Sequence, residues 1–130
     1  MIDPLTDDIP ELAGVPYTAI ITRGALTKEK PELAQRMVNA LTKAMKAQAA
    51  DADAVGAKLK SYFPETDAAL FSAFEPKFRG KSATTPVISK EGYQKLLDWV
   101  AITSPEPVTV TYEDFVDDSF AEKAAGEILK

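Results

Sequence analysis

The chain has 130 residues, 45% hydrophobic and 27% charged, a composition that suits one globular domain and excludes a disordered or collagen-like segment. Its net charge of -5, with both signs interspersed, gives no electrostatic basis for binding nucleic acid or an anionic membrane. Histidine and cysteine are both absent, which removes disulfides, imidazole-based catalysis and the usual zinc sites from this chain.

Residues 1–15 read as an extended lead-in, broken by Pro4, Pro10 and Gly14, and residues 16–130 read as a single portion. The lead-in is acidic and proline-rich, unlike a signal or transit peptide. No apolar run approaches the ~20 residues of a membrane span. The stretch "GVPYTAIITR" predicts a β-strand over 16–23, because β-branched and aromatic residues dominate it. Both parities are apolar, so the strand is expected to be covered on both faces. A second short strand is expected at 107–112, "PVTVTY", where valine and threonine alternate.

The rest predicts helices. The first, near 31–49, opens at Pro31 and carries Leu33, Met37, Val38, Leu41 and Met45 on its apolar side. A second, near 53–63, takes Asp53 as its cap. A third, near 67–78, is capped by Thr66 and stops at Pro76 and Gly80. A fourth, near 90–103, is capped by Ser89, and a last, near 120–129, opens with the capping box "SFAE" at 119–122.

Three clusters invite a chemical reading and each has a plainer one. "RGKSATT", Arg79 to Thr85, resembles an anion-binding loop but lacks P-loop spacing, so it reads as a polar connection. "YEDFVDD", Tyr112 to Asp118, gathers four acids without EF-hand spacing; negative charge before a helix explains it. Lys58, Lys60, Lys77 and Lys81 lack interleaved aromatics for nucleic acid and read as a solvated face. No metal, no cofactor and no catalysis are expected.

The order of motifs resembles a known family. "ELAGVPYTAIITRGALTKEKPELAQ", "SKEGYQKLLDWV" and "YEDFVDDSFAEKA" are together similar to the C-terminal part of the NMT1/THI5-like substrate-binding proteins of ABC transporters. These are the taurine, sulfonate, nitrate and pyrimidine-precursor binders. The resemblance implies a mostly α chain with one or two short β-strands, the C-terminal fragment of a two-lobe α/β periplasmic-binding-protein-like fold. It implies a small-molecule ligand, anionic or heterocyclic, held between two lobes, an ABC permease as partner, and a periplasmic or extracytoplasmic location. Ligands of α/β sheets sit beyond strand ends, so Pro16, Tyr17 and Thr18 become the candidate ligand-binding residues. Two other readings stand beside this: a pyrimidine-precursor synthase-like enzyme fragment, and a stand-alone helical interaction domain. The unpaired edges of the predicted strand further imply a homodimer, with Tyr17–Arg23 pairing with its symmetry mate.

Overall fold

The computed structural model describes residues 12–78 and 83–130, the side chains of 74–78 excepted. The described residues form seven helices: α1 (Gly24–Glu29), α2 (Pro31–Ala50), α3 (Ala52–Lys60), α4 (Ala68–Phe78), α5 (Lys90–Thr103), α6 (Tyr112–Phe115) and α7 (Ser119–Ile128). Local chemistry sets their limits. Pro31 begins α2, where its missing N–H is one of the free donors anyway, and Glu32 complements the dipole in the first turn. Asp51 ends α2 and caps α3, accepting from the Ala54 N–H at 2.9 Å. Asp67 accepts from Ala69 and Leu70 at the start of α4, at 2.9 and 3.0 Å. The caps therefore fall at Asp51 and Asp67 instead of Asp53 and Thr66. Ser89 caps α5 as expected, accepting from the Gly92 N–H at 3.0 Å. Ser119 is already the first helical residue of α7. Asp118 holds the cap position, without a side-chain cap bond, and the Ser119 hydroxyl donates to Asp117 Oδ1 at 2.6 Å.

The central packing joins α2 to α7, which are far apart in sequence and run in the same direction. Near their N-termini, Gln35 Nε2 donates to the Phe120 carbonyl at 3.0 Å. Near their C-termini, Lys46 Nζ donates to the Ile128 and Lys130 carbonyls at 2.6 and 2.9 Å. This register sets Thr42 level with Ala124, and both are fully buried. Small residues at this level, with Ala121, let the two backbones close up. The Thr42 hydroxyl is satisfied by its own helix, donating to the Val38 carbonyl at 2.8 Å. Parallel dipoles disfavour this arrangement, and the Lys46 ammonium on the carbonyl end of α7 offsets part of that cost.

The segment before α1 is tied to α5. Gly14 adopts φ 81°, the left-handed region that favours glycine. The turn brings its carbonyl against Gly92, where a Cβ would stand 2.3 Å from the Gly14 oxygen. Val15 is buried there, and Lys95 Nζ donates to the Ala13 carbonyl at 3.0 Å.

The two predicted strands are a correction. Among the described residues there is no β-strand, so the two-lobe α/β periplasmic-binding-protein-like fold, of which this would be a fragment, is not what the chain forms. Only its mostly helical character holds. Residues 17–23 form neither strand nor helix, with a bend at Tyr17 and Thr18, and Ile20 and Ile21 are 51% and 79% exposed. Strand propensity expresses fit to a pleated, half-buried surface, and no second strand among the described residues offers one. Residues 107–111 are likewise irregular, and the Val110 carbonyl accepts from the Tyr93 hydroxyl at 3.1 Å.

Candidate interaction surface

The 20 residues of α2 carry two apolar rows. Ala34, Val38, Thr42 and Met45 form one. Thr42 is buried, the others are half-buried, and the row lies on the α7 side. Leu33, Met37 and Leu41 form the other, about a quarter of a turn around the helix. They are 50%, 51% and 36% exposed. A helix that is apolar on one side packs against one neighbour; α2 is apolar on two sides, and α7 occupies one of them.

The exposed row is bordered by charge. Arg36 borders it on the side away from α7, Glu32 and Lys43 lie further around the helix, and all three are solvent-exposed. Among the described residues, none of the three has a side-chain hydrogen bond or ion pair. At the N-terminal end of the row, where α1 meets α2, an open cleft of about 480 Å³ is lined by Glu29, Lys30, Pro31, Glu32, Leu33 and Arg36. The α1–α2 corner thus gives the row a concave end, and Leu33 continues it into the cleft.

A second cluster sits where α5, α6 and the start of α7 converge. Tyr93 packs edge-on to Tyr112, with ring centroids 5.6 Å apart, and 6.0 Å from Phe115. Lys90 lies 5.3 Å from the Tyr112 ring centroid and pairs with Glu113 at 2.5 Å. The Tyr112 hydroxyl is within hydrogen-bond reach of two oxygens, the Ile88 carbonyl at 2.6 Å and Asp118 Oδ2. One phenolic proton cannot serve both. Burial raises the Asp118 carboxyl above its ordinary value; the Ile88 N–H, bonded to Oδ1 at 3.4 Å, works against this, and the Glu122 charge adds to it. In its protonated form Asp118 donates to Tyr112 Oη, and Tyr112 donates to the Ile88 carbonyl. Lys90 lowers the exposed Glu113 carboxyl. Every polar group named here is used in holding the corner together, which leaves it a structural joint.

The acids of "YEDFVDD" therefore divide. Glu113 and Asp114 lie in the first turn of α6, whose cap is Thr111. Asp118 turns back to Tyr112. Of the predicted ligand residues, Pro16 is half-buried, while Tyr17 and Thr18 are exposed at a bend leading away from α5. The structure places all three in the irregular segment that precedes α1. In the loop Arg79–Thr85, residues 79–82 lie outside the described residues, as does Lys81 of the lysine set; the side chain of Lys77 is also undescribed. Lys58 and Lys60 are exposed, and Lys60 Nζ lies 6.0 Å from the Phe71 ring centroid. Among the described residues no group of three carboxylates is placed to hold a metal, and no helix is long and apolar enough to cross a membrane.

Sequence reading had the Leu33 row in the core. The signal against this was present: the apolar positions of α2 fill two rows, more than one neighbouring helix can cover.

A scan against protein-family models found no match, and neither the curated proteins nor the solved structures gave one. The resemblance to substrate-binding proteins of ABC transporters is corrected by this and by the strandless fold. A ligand held between two α/β lobes needs sheets that the described residues do not form. The synthase-like alternative needs the same sheets. The permease partner and the extracytoplasmic location had no support other than that resemblance.

Proposed function

We propose that this chain is a helical interaction domain, which binds another polypeptide through the exposed face of α2 and carries out no catalysis. The observation that carries the reading is the row Leu33, Met37 and Leu41, which stands in solvent on a helix whose adjacent row is already packed on α7. The extent of exposure supports it. Leu33, Met37 and Leu41 are 50%, 51% and 36% exposed on neighbouring positions of one helix, and exposed apolar side chains grouped in this way mark a surface that another protein covers. The absence of imidazole and thiol groups favours binding over turnover. The irregular residues 17–23 are a less favourable surface than α2, because fixing them on a partner costs backbone entropy that a formed helix has already lost.

Dye binding and unfolding of the purified chain test the reading. At low concentration it is expected to bind an apolar dye such as anilinonaphthalene sulfonate and to unfold broadly. The covered state should lose the dye and unfold at a higher temperature. A chain that ignores the dye at every concentration and unfolds as a sharp, concentration-independent monomer would overturn the reading.

A further inference from the structure

We infer that Asp118 and Tyr112 are a proton-operated switch at the start of α5: with a proton on Asp118, Ile88 is held by its carbonyl and its N–H together, and without that proton by its N–H alone. Three short reaches between three elements carry the argument. Tyr112 opens α6, Asp118 holds the cap position of α7, and Ile88 precedes Ser89, the cap of α5. The Tyr112 hydroxyl lies 2.6 Å from the Ile88 carbonyl oxygen and within bonding reach of Asp118 Oδ2. The Ile88 N–H lies 3.4 Å from Asp118 Oδ1. With a proton on Oδ2 these reaches close into a ring. Asp118 donates to Tyr112, Tyr112 donates to the Ile88 carbonyl, and the Ile88 N–H donates back to Asp118. Each of the three residues then gives one hydrogen bond and receives one.

Removing the proton leaves one phenolic hydrogen for two acceptors. A bond to a carboxylate is about twice as strong as one to a neutral carbonyl, so Tyr112 turns to Asp118. The Ile88 N–H tightens on the same carboxylate. The Ile88 carbonyl keeps no donor, and 2.6 Å between two oxygens is a distance that only an intervening hydrogen sustains. The Ile88–Ser89 peptide therefore moves away from α6, and Ser89 carries the movement to the cap of α5. The other charges of the corner are engaged elsewhere or reinforce the switch. Lys90 beside the Tyr112 ring pairs with Glu113, and Glu91 pairs with Lys95. Asp114 accepts from Thr111, and Asp117 accepts from Ser119. Glu122, one turn along α7, opposes ionisation of Asp118, as burial does, which sets the exchange above the ordinary carboxyl value of 3.8.

Nuclear magnetic resonance of the whole chain, titrated from acid to neutral pH, tests this. In the wild type the Ile88 amide proton is expected to move downfield as its acceptor becomes charged. The Ile88 carbonyl carbon is expected to move upfield as it loses the Tyr112 donor, with the same midpoint, above 3.8. Asp118→Asn puts an N–H donor where the protonated oxygen stands, so both signals should stay near the wild-type acid positions at every pH. Tyr112→Phe should leave the amide titrating and the carbonyl flat. A wild-type amide that does not move, two signals with separate midpoints, or a carbonyl that titrates in Tyr112→Phe as in wild type would each overturn the inference. Circular dichroism checks that each variant is helical, and the wild-type titration decides alone where one is not.

Discussion

Gly92→Ala should destabilise the chain although it lies in a helix. In α5 the substitution by itself favours the folded state, since glycine in a helix costs about 0.8–1 kcal/mol relative to alanine. Against this, the new Cβ would stand 2.3 Å from the Gly14 carbonyl oxygen and 3.0 Å from Ser89 Oγ. The nearer atom is backbone, so no rotamer change relieves the contact. Overpacking of this kind costs about 1–3 kcal/mol. The chain can escape by releasing residues 12–15 from α5. It then forfeits the burial of Val15, about 1.5–3 kcal/mol at most, and the Lys95–Ala13 hydrogen bond, about 1 kcal/mol. Either route outweighs the gain in helix propensity, and the net loss should be about 1–2 kcal/mol. Gly126→Ala in α7 is the control, because nothing lies within 4 Å of its added Cβ, and it should stabilise by about 0.5–1 kcal/mol. Urea unfolding measures both. Hydrogen exchange at the Val15 amide, bonded to the Leu12 carbonyl at 3.1 Å, reports release of the segment. If Gly92→Ala stabilised as much as Gly126→Ala, the Gly14 carbonyl would not be seated on α5.

Stability should carry two opposed responses to pH at the α5–α6–α7 corner. Asp118 is raised above its ordinary 3.8, so between that value and its folded one the native state holds a proton the unfolded state has lost. Its contribution is present below 3.8 and is lost as pH rises through the folded value. Glu113, lowered from its ordinary 4.5, contributes above that value and loses this as pH falls through its folded one. Asp118→Asn should remove the first response and keep the second in urea titrations from acid to neutral pH; an unchanged profile would show that Asp118 stays ionised. Thr42→Leu should cost about 1–3 kcal/mol, because the added volume enters a fully buried site level with Ala124. Thr42→Val should stay within about 1 kcal/mol of wild type by thermal unfolding, since the lost hydroxyl bonds only within its own helix.

The helices were the legible part of this sequence. Pro31, Ser89 and the apolar spacing of α2 and α5 are local signals, and local signals determine where a helix begins and which residues it offers. The caps at Asp51 and Asp67 were missed by one or two residues because each competes with a neighbouring Asp53 or Thr66 of equal aptitude. The run Tyr17–Thr22 misled because strand propensity needs a partner strand to express it, and partnership is not a local property. The short helices α1 and α6 fell outside the predicted helices, α6 inside the acidic cluster. They are single turns or little more, too short for periodicity to register. The Leu33 row was legible as apolar and illegible as exposed, because which side α7 would take depends on a contact some 80 residues away.

That same distance shapes how the chain folds. Gln35 meets Phe120 across 85 residues and Lys46 meets Ile128 across 82, so the central pairing closes about two-thirds of the 130-residue chain into a loop. Closing a loop of that length costs roughly 4 kcal/mol before any contact repays it, by the logarithmic dependence on length. Helices of this length are marginal alone, so α2 gains little until α7 arrives. On a ribosome adding about 5–20 residues per second, α7 follows α2 by roughly 4–17 seconds. Throughout that interval both apolar rows of α2 are bare, and the row bound for α7 can meet the wrong neighbour. The order of synthesis therefore makes α2 the point at which nascent chains aggregate, and a helper that shields it early would raise the yield of folded protein without changing its final stability.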